Sequence, residues 1–350
     1  MPKPSQENQP TAIREVVFPG KVDPSELRVT ERSLPAPGRA HALVQIEASG
    51  VSFAEQAMRR GRYPGQPAFP FVPGYDLVGV VRAVGPGVSA AMIGTRVAAV
   101  TKTGAWASHA LIAAADLVTV PAGVEPALAE TVLVNGVTAW QMLFRKARVR
   151  AGQTILVHGA NGGVGTLLCQ LALHAGLRVI GSAAPKHHAT LRAAGVEPLD
   201  YAAPDLAARV RRLAPAGVDA VFDHLGLDSA RVSFRLLAPG GSLICYGNAT
   251  ALDGNTSMVR LFVALLARIG WWNILPNSHY VTFYNFWGGS LLGPTAFRRR
   301  LAEDLHALFA LLVKQAIQPV IAARFALADI GAAMTLAESR TIQGKVVLLM

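Results

Sequence analysis

Cysteine is nearly missing from this chain: Cys169 and Cys245 are the only two among 350 residues, both in apolar contexts and neither in a C-x-x-C pair. That excludes a disulfide framework, and the two thiols read as small buried hydrophobes. A membrane-spanning run is missing as well. The most apolar window, residues 261–267, soon meets Arg268 and Gly270, whereas a spanning helix needs about 20 apolar residues. Residues 1–10 are polar and proline-containing, so they read as a disordered tail without the apolar core of a secretory signal. The expectation is a soluble, cytoplasmic protein. Internal repeats and low-complexity tracts are also lacking. Acidic residues are scarce beside basic ones, 22 against 33, for a formal charge of +11. The positive charges are scattered, apart from Arg298-Arg299-Arg300 and Arg209-Val210-Arg211-Arg212, both in helical patterns. No basic stripe with a recognition module appears, which excludes nucleic acid as a partner. The charge is compatible with phosphorylated cofactors or anionic membrane surfaces.

What is present is a 51% hydrophobic, 16% charged composition long enough for two domains, and one stretch that carries chemistry. Thr154-Ile155-Leu156-Val157-His158 reads as an apolar strand running into glycines at 159, 162 and 165, then into an apolar-periodic helix. Glycines let the backbone approach a pyrophosphate, and a helix N-terminus offers unpaired N–H groups and a positive dipole end. The spacing departs from strict G-x-G-x-x-G, but strand, turn and helix are in the order a dinucleotide site requires. Gly162, Gly163 and Val164 are the expected pyrophosphate contacts. The next strand, residues 177–182, ends at Ser182, where NAD-preferring sites place an acid for the ribose 2′-hydroxyl. No acidic residue occurs between Gly165 and Glu197. Ser182, Lys186 and Tyr201 are instead expected to meet a 2′-phosphate, which makes NADP(H) the expected cofactor. The bland alternative for Lys186 is a solvated helix face.

Along the chain, the first third reads as β-rich, with strands at 42–48, 77–84, 95–100 and 107–112 divided by Gly/Pro turns. From about Asn135, helices and strands alternate. Helices are expected at 137–146, 163–175, 186–194, 205–213 and 228–237, and strands at 154–158, 177–182, 218–223 and 242–246. This is the pattern of a doubly wound parallel sheet. An aromatic-rich segment from Trp271 to Trp287 precedes a helix at 295–314 and a closing strand at 345–349.

Several further motifs fall in order. They are Gly50-Val51-Ser52-Phe53-Ala54-Glu55 with Gly61-Arg62-Tyr63-Pro64, then Pro73-Gly74-Tyr75-Asp76-Leu77-Val78-Gly79. Gly94-Thr95-Arg96-Val97, Gly104-Ala105-Trp106, Asn135-Gly136-Val137-Thr138-Ala139-Trp140, Pro239-Gly240-Gly241 and Gly344-Lys345-Val346-Val347 follow. With the glycine turn they resemble the zinc-free branch of the medium-chain dehydrogenase/reductase superfamily, the quinone oxidoreductase family. Gly104-Ala105-Trp106 and the segment from Asn135 to Trp140 are similar to its vesicle amine transport protein 1-like subgroup. The resemblance implies an α/β protein with a GroES-like β-rich catalytic domain at 11–134 and 284–350. A Rossmann NADP-binding domain at 135–283 would be inserted within it, and the assembly would be a homodimer.

Zinc-dependent relatives carry Cys where Ser52 stands and Gly-His-Glu where Gly74-Tyr75-Asp76 stands. A catalytic zinc needs three protein ligands, and Tyr75 does not replace an imidazole, so no metal is expected. Without a Lewis acid, alcohol oxidation loses its alkoxide-stabilising device, whereas hydride delivery to a conjugated acceptor asks only for orientation, water exclusion and hydrogen bonds. The implied activity is NADPH-dependent reduction of a quinone or enone. The resemblance makes Ser52 and Tyr63 candidate catalytic residues, although an ordinary turn serine and a packed loop tyrosine are the plain alternatives. It puts Asn135 and Thr138 beside the nicotinamide, as against a helix cap. It also puts Lys345 on the cofactor side, as against a strand-edge lysine. Leu225 and Tyr246-Gly247-Asn248 follow strands at the edge where open α/β sheets bind ligands. Asp223-His224, lacking a nucleophile in a recognisable relation, is not read as a hydrolase pair. A second class stays open: a low-turnover NADP-binding protein with a membrane- or vesicle-associated role.

Overall fold

The computed structural model describes residues 10–249 and 258–350. The chain divides into two compact units. Among the described residues, one holds 10–134 with Thr295–Gln315 and Pro319–Met350; the other holds 135–249 and 258–294 with Ala316–Gln318. The expected return at residue 284 lies inside the second unit. Phe283 still belongs to that unit's edge strand, and the Tyr284 hydroxyl donates to Gln141 Oε1 at 3.1 Å.

In the first unit, β1 (Thr11–Val16) and β2 (Val29–Leu34) form a separate antiparallel pair. β3 (His41–Val51) is the hub of the main sheet. It pairs antiparallel with β4 (Asp76–Val84) and with β6 (His109–Ala113), and β4 carries on through β5 (Arg96–Val100) to β7 (Val118–Thr119). Two short helices lie in this part, α1 (Phe53–Arg59) and α2 (Pro126–Thr131). Val44, Ile46, Leu77, Val81, Val97 and Ile112 belong to the unit's core, and β3 and the first part of β4 are buried at nearly every residue, as strands covered on both faces are. Trp106 is fully buried. Its indole N–H donates to the Gly50 carbonyl at 2.9 Å, and its ring meets Phe18 edge-on at 5.6 Å. Gly74, at φ +102°, makes room for it, because a Cβ there would lie 2.4 Å from the Trp106 nitrogen.

The second unit opens in a helical stretch continuous with α2. It includes α3 (Val137–Trp140), flanked by wide π-type windings at Val132–Gly136 and Gln141–Ala147. The expected helix at 137–146 is thus part of a longer run that starts at Pro126, where the missing N–H of proline costs nothing. Then follow β8 (Thr154–His158), α4 (Gly163–His174), β9 (Arg178–Ala183), α5 (His188–Ala193), β10 (Glu197–Asp200), α6 (Leu206–Leu213), β11 (Val218–Asp223), α7 (Leu227–Phe234), β12 (Leu237–Cys245), α8 (Met258–Ile274) and β13 (Tyr280–Phe283). The six strands are all parallel in the order β10-β9-β8-β11-β12-β13, so the chain order reverses between β8 and β11. This is the doubly wound dinucleotide topology, whose ligands sit beyond the strand C-termini at that reversal. β8 is buried at every residue, as a central parallel strand covered on both faces must be. The helix expected at 228–237 stops at Phe234, because Leu237 already pairs with Val218 in the sheet.

The chain then returns to the first unit. α9 (Pro294–Val313) leads to β14 (Ile321–Ala326), α10 (Ile330–Glu338) and β15 (Lys345–Leu349). β15 pairs antiparallel with the end of β3 and parallel with β14. Among the described residues no helix is long and apolar enough to cross a membrane.

Trp106 is the largest fully buried side chain of the first unit. Trp106→Ala is expected to cost about 3–5 kcal/mol, the usual range for emptying a large aromatic site. Urea denaturation should show a lower midpoint at an unchanged slope.

Candidate active site

The glycine turn is built by close approach. Gly159 has φ +66°, and a Cβ on it would lie 2.5 Å from His224 Cε1; a Cβ on Gly165 would lie 2.1 Å from the Gly159 carbonyl oxygen. Gly162 is the N-cap of α4 and supplies no side-chain cap. The first-turn N–H groups of Gly163, Val164 and Gly165 are therefore left for a ligand, at the positive end of a 12-residue helix. Gly162, Gly163 and Val164 are half-buried and accessible. A pyrophosphate fits this turn: the backbone donors are present and side chains are absent where phosphate oxygens approach.

Because the strands are parallel, the other expected cofactor residues emerge along the same edge. Lys186 is exposed just after β9, and Tyr201, 60% exposed, follows β10. Leu225 follows β11, and Tyr246, Gly247 and Asn248 follow β12. The ends of β11 and β12 are tied together: Tyr246 N–H donates to the Asp223 carbonyl, Ala249 N–H donates to the His224 carbonyl, and the His224 and Tyr246 rings lie 5.5 Å apart. Asn135 and Thr138, both 7% exposed, lie in and beside the π-type winding at the head of this unit.

Ser182 departs from this pattern. Expected to face a 2′-phosphate, it is buried, and its hydroxyl lies 2.9 Å from His158 Nδ1. The Ser229 and Ser233 hydroxyls both donate to Asp223 Oδ2, at 2.7 and 2.8 Å, and His158 Nε2 lies 3.1 Å from the Ser233 oxygen. With the Ser233 proton committed to Asp223, His158 must donate from Nε2 and accept at Nδ1, so Ser182 spends its proton inward. Burial holds the His158 pKa below its ordinary value despite the attraction of Asp223, so the ring is neutral as this network requires. Asp223 also accepts from Leu225 N–H at 2.9 Å. This network pins the ends of β8, β9 and β11. No motif in the sequence announces it, because its residues come from separate elements.

The first unit contains a denser polar site. Ser52 is the N-cap of α1, and Glu55 completes a capping box: its Oε2 accepts from Ser52 N–H at 2.9 Å and shares a short hydrogen bond with the Ser52 hydroxyl. Its Oε1 accepts from Tyr75 N–H at 2.8 Å. A capping glutamate is ordinarily solvated, but this one is fully buried. Burial pushes its carboxyl pKa up and Asp76 adds to the rise, with the Ser52 hydrogen bond and Lys345 opposing. The Tyr63 and Tyr75 hydroxyls lie 2.7 Å apart, and burial raises the Tyr63 pKa.

Lys345, expected on the cofactor side, has its ammonium buried in the first unit, donating to Asp76 Oδ2 at 3.1 Å and to Glu130 Oε1. Burial alone would lower its pKa, but Asp76 and Glu130 raise it above the ordinary lysine value. Burial drives the Glu130 carboxyl well up, against the pull of Lys345, and Glu130 Oε2 is buried without a hydrogen-bond partner. The pair runs directly over the backbone of β3: a Cβ on Gly50 would lie 2.2 Å from Lys345 Cε and 2.3 Å from Glu130 Oε1. Sequence reasoning missed Glu55 and Glu130. The S-x-x-E box at Ser52–Glu55 was a readable signal, and Glu130 is the one charged residue of α2.

Of the positions expected to lack zinc ligands, Asp76 is held by Lys345, and Ser52 shares a hydrogen bond with Glu55 while its side chain stays half-buried. Removing the ammonium would leave Asp76 and Glu130 facing each other in the interior. Lys345→Met is expected to destabilise the cofactor-free protein by about 3–5 kcal/mol, the cost of orphaning buried charge. Calorimetry on the apo protein checks this, since a lysine serving cofactor contact alone would leave its melting temperature unchanged.

Comparison with known proteins gives consistent matches. Residues 38–142 match the family described as alcohol dehydrogenase GroES-like domain, and residues 195–348 the family described as zinc-binding dehydrogenase. The chain is 34% identical over 256 residues to the rat synaptic vesicle membrane protein VAT-1 homolog, an alignment covering 73% of this chain but only 62% of that protein. It is 32% identical over 340 residues to a quinone oxidoreductase of Pseudomonas aeruginosa, covering 96% of this chain and 99% of that one. Among solved structures, a mycobacterial protein complexed with NADPH superposes with a TM-score of 0.81 at 32% identity, covering 97% of this chain and 100% of that one.

Proposed function

The chain belongs to the quinone oxidoreductase family of the medium-chain dehydrogenase/reductase superfamily, and from that premise we propose that it is a zinc-independent, NADPH-dependent reductase of a quinone or other conjugated acceptor. The observation that carries the reading is the shared edge of the parallel sheet. There an uncapped glycine turn, Lys186 and Tyr201 follow the C-terminal ends of neighbouring strands, and β9 itself ends without an acidic residue, Asp200 standing at the end of the adjacent β10. In this reading Gly162, Gly163 and Val164 hold the pyrophosphate through backbone N–H groups, and Lys186 and Tyr201 take the 2′-phosphate. Ser182 has no part in that contact, because its proton is committed to His158. Asn135, Thr138, Leu225, Tyr246, Gly247 and Asn248 line the remaining path of the dinucleotide. When bound, the nicotinamide supplies the hydride.

The protein's own share is to orient the acceptor and to exchange a proton. Ser52 and Tyr63 are the half-buried hydroxyls of the first unit proposed for this role. Zinc independence is supported by chemistry of the donor set: a serine, a tyrosine and an aspartate paired with lysine do not make the Cys/His environment zinc prefers. A conjugated acceptor tolerates that absence, because the incoming electron pair delocalises onto its own oxygen.

The test is turnover of NADPH against a panel of quinones, enones and enoyl thioesters with chelator present. Reduction of at least one class, negligible primary-alcohol oxidation and no stoichiometric zinc are expected. Lys186→Ala should weaken NADPH binding about tenfold or more, one charge-assisted hydrogen bond, while leaving NADH little changed. Equal losses for both cofactors, or efficient alcohol dehydrogenation with no conjugated acceptor turned over, would contradict the reading.

A second reading, a low-turnover NADP-binding protein at an anionic membrane surface, is favoured by the outer face of α8. Val259, Val263, Trp271 and Ile274 are each more than half exposed there, with Arg260 beside them and a net charge of +11 on the chain. The same face and the outer edge of β13 would equally be covered in a homodimer, which is the assembly we propose. Light scattering and flotation with phosphatidylserine vesicles separate the two: a dimer mass and no flotation are expected. Flotation without NADPH turnover would favour the membrane reading.

A further inference from the structure

The charge count around Lys345 does not close. Glu55 faces Asp76 of β4, and Asp76 and Glu130 of α2 share the single ammonium of Lys345 from β15. The Tyr63 and Tyr75 phenols pack beside this group, and Glu338 of α10 is taken up by Arg59 and Arg60. Three buried carboxyl groups therefore share one cation. Fully ionised, the cluster would hold two uncompensated negative charges in a region screened from water, and such clusters keep protons instead. Of these carboxyls, Glu55 reaches a side chain with an accessible face. It shares its hydrogen bond with the hydroxyl of Ser52, which is half-buried where Glu55 is sealed.

We propose that Glu55 stores the proton consumed in the reduction and passes it outward through the Ser52 hydroxyl. The proposal rests on the reading of Ser52 as the hydroxyl that meets the acceptor. Once the acceptor carbon has received hydride from the nicotinamide donor, the electron pair resides on the acceptor oxygen. The Ser52 Oγ–H bond breaks and an O–H bond forms on that oxygen. At the same time the Glu55 Oε2–H bond breaks and its proton restores the Ser52 hydroxyl. Glu55 is left as a carboxylate, stabilised by the N–H groups of Ser52 and Tyr75 that already point at it, and water returns the proton after product leaves. No redox change occurs at either residue. Glu55 acts through Ser52 and so is a positioning and supply residue. Its burial is what distinguishes it from a capping glutamate, because a solvated one would already be ionised at neutral pH.

The raised Glu55 pKa has a definite sign in stability. A carboxyl whose folded value lies above its unfolded one stabilises fully below the unfolded value and loses that contribution as pH climbs through the folded value. Both the kinetic and the stability limbs therefore belong to the interval above the ordinary glutamate range.

Two measurements on the full chain test the proposal. The first needs no cofactor: infrared spectra of the apo protein near neutral pH should show a protonated carboxyl band that is missing from Glu55→Gln. The second is steady-state kinetics with NADPH and whichever conjugated acceptor the wild type reduces. Glu55→Gln, nearly isosteric, should lower kcat by about 100-fold, within the range of proton-transfer catalysis. It should leave KM for NADPH within about twofold and abolish the alkaline fall of the wild-type kcat. Ser52→Ala should retain the infrared band while losing kcat to a similar degree, and the double variant should lose no more than either single one. Ser52→Ala also decides the matter should Glu55→Gln not fold: full kcat in it overturns the proposal. Identical infrared spectra for wild type and Glu55→Gln, or full kcat in either variant, would overturn the proposal. A wild type inert toward every acceptor would instead overturn the functional reading, and the infrared band would then decide the proton store by itself.

Discussion

The ammonium of Lys345 between Asp76 and Glu130 is the constraint on which the first unit is arranged. It joins the last strand, β15, to β4 and α2, and it does so across the bare backbone of Gly50 in β3. A lysine near the C-terminus thereby fixes elements from the first half of the chain. Buried charge of this kind adds little net stability when complete and costs a great deal when broken. It thus specifies one arrangement of these strands more than it strengthens them. Ser52, Glu55, Tyr75 and Tyr63 hang from the same framework, since β3 ends at Val51 and β4 begins at Asp76.

In the proposed reading each unit brings its own kind of group. The parallel sheet presents backbone donors and a cation-bearing edge, held by the neutral His158 bridging Ser182 and Ser233. The β-rich unit presents hydroxyls backed by buried acid. The positions that the resemblance assigns to zinc ligands in metal-dependent relatives are held here by Ser52, Tyr75 and Asp76. In this chain Asp76 is held by Lys345, Tyr75 shares a hydrogen bond with Tyr63, and Ser52 shares one with Glu55. A hydroxyl with an acid behind it supplies protons rather than Lewis acidity, which suits an acceptor able to carry its own developing charge.

Much of the fold was legible, because periodicity and glycine placement are local properties. The strands at 218–223 and 345–349 were read residue for residue, and the helix after the glycine turn to within one residue. What escaped was set by tertiary context. β10 contains Pro198, which reads as a break, yet it lies at the sheet edge where a missing N–H is tolerated. β2, Val-Thr-Glu-Arg-Ser-Leu, is mostly exposed and shows little hydrophobic alternation. β13 lay within an aromatic-rich segment that offered no clear period. The cofactor edge was readable because parallel strands all end on one side. The direction in which Ser182 points was not, because it depends on a histidine from β8 and a serine from α7. The acid cluster was hidden for the same reason: Glu55, Asp76, Glu130 and Lys345 are scattered along the chain and meet only after β15 is laid against β3.

The central claim is that this framework supports hydride transfer to a conjugated acceptor without a metal. Its most direct test is a single turnover of chelator-treated protein with NADPH deuterated at the reactive nicotinamide position. Mass spectrometry would locate the label in the reduced acceptor. The account predicts one deuterium on the acceptor carbon at full yield, unaffected by added zinc. Label missing from the product of every acceptor, or transfer only after zinc is restored, would contradict it.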